Sequence, residues 1–179
     1  MREAHLPPLA EEDHVCPSCD VSFLALTVDD ARGLAAAVPA RTREAVLAID
    51  RSRWHGRPDP DVWSVAEYVC HLRDLAVAFT IRLHRTRTED RPALEPVYND
   101  LRARRFRYDH HDVEAVLDEL DLVTPGLLDE AARYTESDWD RVATRLPHEQ
   151  RTGRWLLRQA AHEGVHHVRD IAAVGAVRG

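Results

Sequence analysis

The run from Trp155 to Ala173 repeats apolar residues at helical spacing, and two histidines, His162 and His166, stand four apart inside it. On a helix such residues share one face, with Cβ atoms roughly 5–6 Å apart. Neutral imidazole is the commonest protein metal ligand, so the pair can hold one divalent cation without distorting the backbone. A single histidine on an apolar face reads as a satisfied core residue. This pair reads as half of a metal site on a long amphipathic helix.

The spelling His162-Glu163-Gly164-Val165-His166 also matches the His-Glu-x-x-His of zinc metalloproteases, where the glutamate is a general base. Such enzymes need a third ligand and a cleft, commonly beside a sheet edge, and the sequence offers no convincing strands. Gly164 lowers helix propensity without an evident gain. A third ligand is suggested upstream. Ser64 and Glu67 form an S-x-x-E capping box, so the spacing predicts a helix from about residue 65. Val65, Tyr68, Leu72, Leu75 and Phe79 make its buried stripe, and His71 lies beside that stripe. Three inward histidines from two helices would leave open positions for water, the pattern of a catalytic rather than a closed site.

Trp63-Ser64-x-x-Glu67-Tyr68-x-x-His71 on an early helix, followed by Gly153 through His167 on the last, resembles the DinB-like (DinB/YfiT) superfamily over roughly residues 25–175. The resemblance implies an all-α fold, a four-helix bundle whose second and fourth helices supply a three-histidine site. The metal ligands so implied are His71, His162 and His166, with zinc or nickel as the expected ion. Some relatives carry a glutamate at the position of His162. The family includes mycothiol- and bacillithiol-dependent transferases and isomerases. The implied function is therefore a metal-dependent transferase-like enzyme, activating a low-molecular-weight thiol such as mycothiol, or water, for attack on a small electrophile. A metal- or ligand-sensing bundle and a metal-dependent hydrolase are the alternatives, and the catalytic residues beyond the metal stay unassigned.

Length and charge agree with one such domain. The chain of 179 residues is long enough for a substantial single core. Its formal charge of −7 makes sequence-independent nucleic-acid binding a poor fit. All 24 basic residues are arginine, which points to a GC-rich genome; in an actinobacterial cell the available thiol would be mycothiol. The N-terminus lacks a basic-then-apolar signal, and no apolar run approaches a membrane span. The expectation is a cytoplasmic protein with a small-molecule substrate, no nucleic-acid or membrane partner, and a homodimer as the assembly left open.

Three cysteines in that compartment do not make a disulfide framework. Cys16-Pro17-Ser18-Cys19 instead looks like half of a zinc knuckle, a second metal site whose other ligands must come from elsewhere. Residues 1–26 are read as an N-terminal extension carrying it, and residues 27–179 as the bundle. A metal there would stabilise the fold rather than serve the chemistry. Asp74 and Asp170, one turn from His71 and His166, are candidates to accept the free ring N–H of a bound histidine. Trp63 and Tyr68 read as core aromatics.

Thr27 is the expected cap of the first helix, which runs to about Asp50 with Pro39 kinking or splitting it. The second helix runs to about Arg87, and residues 88–111 form a long crossover link. Asp112 caps a third helix bent at Pro125. Thr152 caps the fourth, expected to end before Gly175.

Overall fold

A computed structural model describes residues 7–146 and 148–176. Four long helices make the core: α1 (Val28–Leu47), α2 (Val65–Thr88), α4 (Val113–Ala132) and α5 (Gly153–Ala176). A shorter helix, α3 (Asn99–Arg105), lies in the link between α2 and α4. The long helices neighbour one another in a ring, α1 to α5 to α2 to α4 and back to α1. No helix among the described residues is long and apolar enough to cross a membrane.

The helix starts follow local chemistry. Thr27 caps α1 by accepting the Asp30 N–H at 3.1 Å. Ser64 and Glu67 form the full capping box of α2. Asp112 accepts the N–H groups of Glu114 and Ala115 at the head of α4. Thr152 accepts the Trp155 N–H at 3.0 Å where α5 begins.

Pro39 and Pro125 sit inside unbroken helices, so Pro39 does not split α1. Each removes one backbone donor, and packing on the bundle outweighs that loss. The last helix continues through Gly175 to Ala176. Two short antiparallel strands also appear, β1 (Val142–Thr144) and β2 (Gln150–Thr152), where only a connection was expected. This hairpin leads directly into α5.

The N-terminal extension is stitched to that hairpin and to α5. Glu12 accepts from the Thr152 N–H at 2.9 Å, and Arg151 donates to the Ala10 carbonyl at 2.6 Å. Arg158 donates to Leu26 O at 2.7 Å, and Arg169 to Ser18 O at 2.9 Å. Phe23, fully buried, joins Trp155, Leu156 and Leu157 in the core.

Candidate metal centres

Helix α5 presents three faces, because successive residues turn by about 100° around its axis. Gly164 faces α1: a Cβ at that position would stand 2.3 Å from Val38 Cγ2. This close approach is the gain that sequence reading did not find for a glycine within the motif. With Gly164 turned to α1, Glu163 and His167 face α2, while His162 and His166 face the N-terminal extension.

The structure therefore divides the three expected histidine ligands between two clusters. His71 on α2 stands with Glu163 and His167, the Glu and His one position along from the anticipated pair. Its Nε2 lies 3.9 Å from Glu163 Oε2 and has no hydrogen-bond partner, although its side chain is only 3% exposed. Glu163 Oε2 is 3.0 Å from His167 Nε2. The Asp170 carboxylate takes the other His167 nitrogen, Nδ1, at 2.8 Å. His162 and His166 stand instead with Cys16 and Cys19, and the donor atoms of each cluster lie within 4.8 Å of one another.

Electrostatics set the protonation states. Burial pushes the His71 imidazole below its ordinary value, so it is neutral at physiological pH, although Glu163 pulls the other way. Burial would raise the Glu163 carboxyl, but the hydrogen bond from His167 and the nearby His71 ring hold it well below the usual range. Burial alone would lower His167, yet Asp170 and Glu163 outweigh it and push the ring up to about 9. His162 is driven down to about 4 by burial first. Two imidazoles and an ionised carboxylate, one imidazole nitrogen buried and unpartnered, fit a divalent cation.

Aromatic rings wall the α2-facing cluster. The Trp63 ring is 5.0 Å from His71, and Tyr68 is 5.4 Å from His167. Burial first, then the Asp170 charge, pushes the Tyr68 hydroxyl up to about 12. Asp74 is held elsewhere, by Tyr108, by Arg102 and by Arg73. Cys70 is buried, with its thiol 3.9 Å from the Tyr108 carbonyl and pushed up to about 12 by burial, so it is a packed rather than a reactive thiol.

Glu163, 23% exposed, also lines a cleft of about 540 Å³. Leu75, Phe79 and Trp155 give it apolar surface, while Arg82, Arg104 and Arg145 give it positive charge. Arg145 is paired with Glu149 at 2.7 Å. Arg82 lies over the Phe79 ring and donates to the Glu95 carbonyl at 2.9 Å rather than to a carboxylate. Sequence reading weighed Glu163 only as a metalloprotease-type general base, and placed neither it nor His167 beside His71, nor Arg82 in the cleft. The first two were visible as a Glu-x-x-x-His pair one step along from His162 and His166; Arg82 carried no signal.

Comparison with known proteins agrees with this architecture. YfiT from Bacillus subtilis, described as a probable metal-dependent hydrolase with an unusual four-helix bundle topology, superposes with a TM-score of 0.73 at 22% identity, covering 82% of this chain and 85% of that one. A mycothiol-dependent maleylpyruvate isomerase superposes with a TM-score of 0.68 at 12% identity, covering 84% of this chain and 63% of the isomerase. At these identities the likeness is one of fold. A search of curated proteins finds no match. The sequence profile of the DinB superfamily matches residues 34–171, and the chain belongs to that superfamily.

Proposed function

We propose that His71, Glu163 and His167 hold a divalent metal, zinc or nickel, and that the protein is a metal-dependent enzyme acting on a small anionic electrophile with a low-molecular-weight thiol. The observation that carries this reading is the buried, unpartnered His71 Nε2 facing Glu163, beside a cleft that the same glutamate lines. A divalent cation at such a site lowers the pKa of a thiol or of water, so that the nucleophile forms at neutral pH. A neutral His71, the Glu163 carboxylate and His167, whose ring must give up its proton to a bound cation, leave positions for exogenous ligands, unlike a closed four-ligand site.

The chain's own residues supply the rest. Asp170 orients His167 through Nδ1, leaving Nε2 directed at the site. Leu75, Phe79 and Trp155 exclude water from one side of the cleft, and Arg82 supplies a half-buried positive charge for an anionic group. The described YfiT hydrolase and the mycothiol-dependent isomerase support water and thiol, respectively, as the nucleophile; a cleft of about 540 Å³ with both polar and apolar lining has room for the bulkier thiol. Anionic electrophiles should be screened with mycothiol, with bacillithiol and without thiol, on wild type and His71→Ala. Turnover that needs both thiol and His71 is expected. Thiol-independent turnover would replace the transferase reading with a hydrolase, and full metal content in His71→Ala and His167→Ala would remove the site.

A further inference from the structure

We infer that Cys16, Cys19, His162 and His166 form a closed zinc site, distinct from the open one, which clamps the N-terminal extension onto α5. Four side chains of the Cys2His2 zinc set converge here from two distant parts of the chain. Both cysteines are buried and unpaired. Both ring nitrogens of His162 are buried without a hydrogen-bond partner, although a buried polar atom left this way is costly.

The spacing fits. Ligands on arms of 2.0–2.3 Å occupy corners of a tetrahedron roughly 3.3–3.8 Å apart. Cys16 Sγ is 3.5 Å from His166 Nδ1, and all four donors lie within 4.8 Å of one another. The extension is already folded into the required loop. Asp20 N–H donates to Cys16 O at 2.8 Å, Cys16 N–H to Val21 O at 3.0 Å, and Asp20 takes a left-handed φ of 60° between them. Two thiolates neutralise a 2+ ion, so the closed site carries no net charge into the core. Four protein ligands leave no open position, which separates its role from chemistry.

The two sites meet at one carboxylate. Asp170 Oδ2 is 2.8 Å from His167 Nδ1 and 3.5 Å from His166 Nε2. It thus reaches the outward nitrogen of one histidine from each cluster.

The test is metal content and cobalt spectroscopy of the full chain. Separate samples of metal-free protein are titrated with zinc and with cobalt. The wild type should bind two ions per chain and show a sulfur-to-cobalt charge-transfer band. The Cys16→Ser/Cys19→Ser variant should bind one ion and lose that band, while His71→Ala should also bind one and keep it. In the unmutated protein, zinc should slow alkylation of Cys16 and Cys19 at least tenfold relative to metal-free protein. The last measurement needs no variant to fold. Absence of the sulfur band in wild type, or equal alkylation with and without zinc, would overturn the closed site whatever happens at His71. Isolation of a Cys16–Cys19 disulfide as the stable form would overturn it too.

Discussion

Asp170 accepts a hydrogen bond from His167 Nδ1 at 2.8 Å and so fixes which nitrogen of that ring is turned toward His71 and Glu163. A partner of this kind sets the tautomer and raises the basicity of a ligating imidazole. Asp170→Asn keeps the shape and removes the charge. It should weaken zinc binding at the His71 site by about 10–100-fold, the usual effect of losing such a partner. Competition with a chromophoric chelator in the Cys16→Ser/Cys19→Ser background isolates this site, and unchanged affinity there would reject the positioning role.

Glu67 carries a pH-dependent part of the stability. Burial would raise its carboxyl, but hydrogen bonds from Arg57 and from the Ser64 backbone outweigh that and hold it below its ordinary value of 4.5. A depressed carboxyl stabilises the fold above the unfolded-state value, and the gain is lost as pH falls through the folded one. Glu67→Gln should therefore cost about 1–3 kcal/mol near pH 7, the range for a lost charged hydrogen bond. The gap between the two proteins should stay constant down to about pH 4.5 and close below it. Urea unfolding of both across that range checks the shape, and a gap that does not shrink in acid would assign the loss to packing.

Arg82 is the cleft cation whose guanidinium bonds to a carbonyl rather than to a carboxylate. Arg82→Gln keeps a donor and removes the charge. A small dicarboxylate, titrated by calorimetry, should bind roughly 10–100-fold more weakly to the variant, corresponding to one lost charge-assisted hydrogen bond. The zinc content should not change. Equal affinity would mean that anions are recognised elsewhere.

Local signals were legible in the sequence and rotational ones were not. The Ser64–Glu67 box and the Thr27, Asp112 and Thr152 caps are contacts within three residues, so the sequence places them directly. Strands of three residues are too short to show alternation, so β1 and β2 left no trace. The helix carrying His162, Glu163, His166 and His167 was plain, but periodicity alone offers two Glu/His or His/His pairs on neighbouring faces. Which pair meets His71 depends on how α5 is rotated, and that is fixed by contact with a residue more than a hundred positions away. Cys16 and Cys19 suggested half of a metal knuckle, whereas the nearness of His162 and His166 to them depends on the same rotation.

Gly164 is the residue that sets this rotation, and its replacement gives the sharpest test. An added methyl would meet Val38 Cγ2 at 2.3 Å, with Val38 Cγ1 and Cβ at 3.4 and 3.5 Å. Valine in a helix is held to one strongly preferred χ1 rotamer and its Cβ is itself only 3.5 Å away, so turning the methyls aside is costly and α1 and α5 are pushed apart. In an exposed helix Gly→Ala stabilises by about 1 kcal/mol. Here overpacking, typically about 1–3 kcal/mol, opposes that gain, and Gly164→Ala should be destabilising on balance. Because Glu163 and His167 flank the contact, metal affinity at the His71 site should fall with it. Val38→Ala alone opens a void, but combined with Gly164→Ala it makes room for the new methyl. The double variant should therefore be more stable than the sum of the two single losses, a favourable coupling measurable by a double-mutant cycle. Strict additivity would show that the two positions do not touch, and would remove the physical reason for the facing of Glu163 and His167 toward α2.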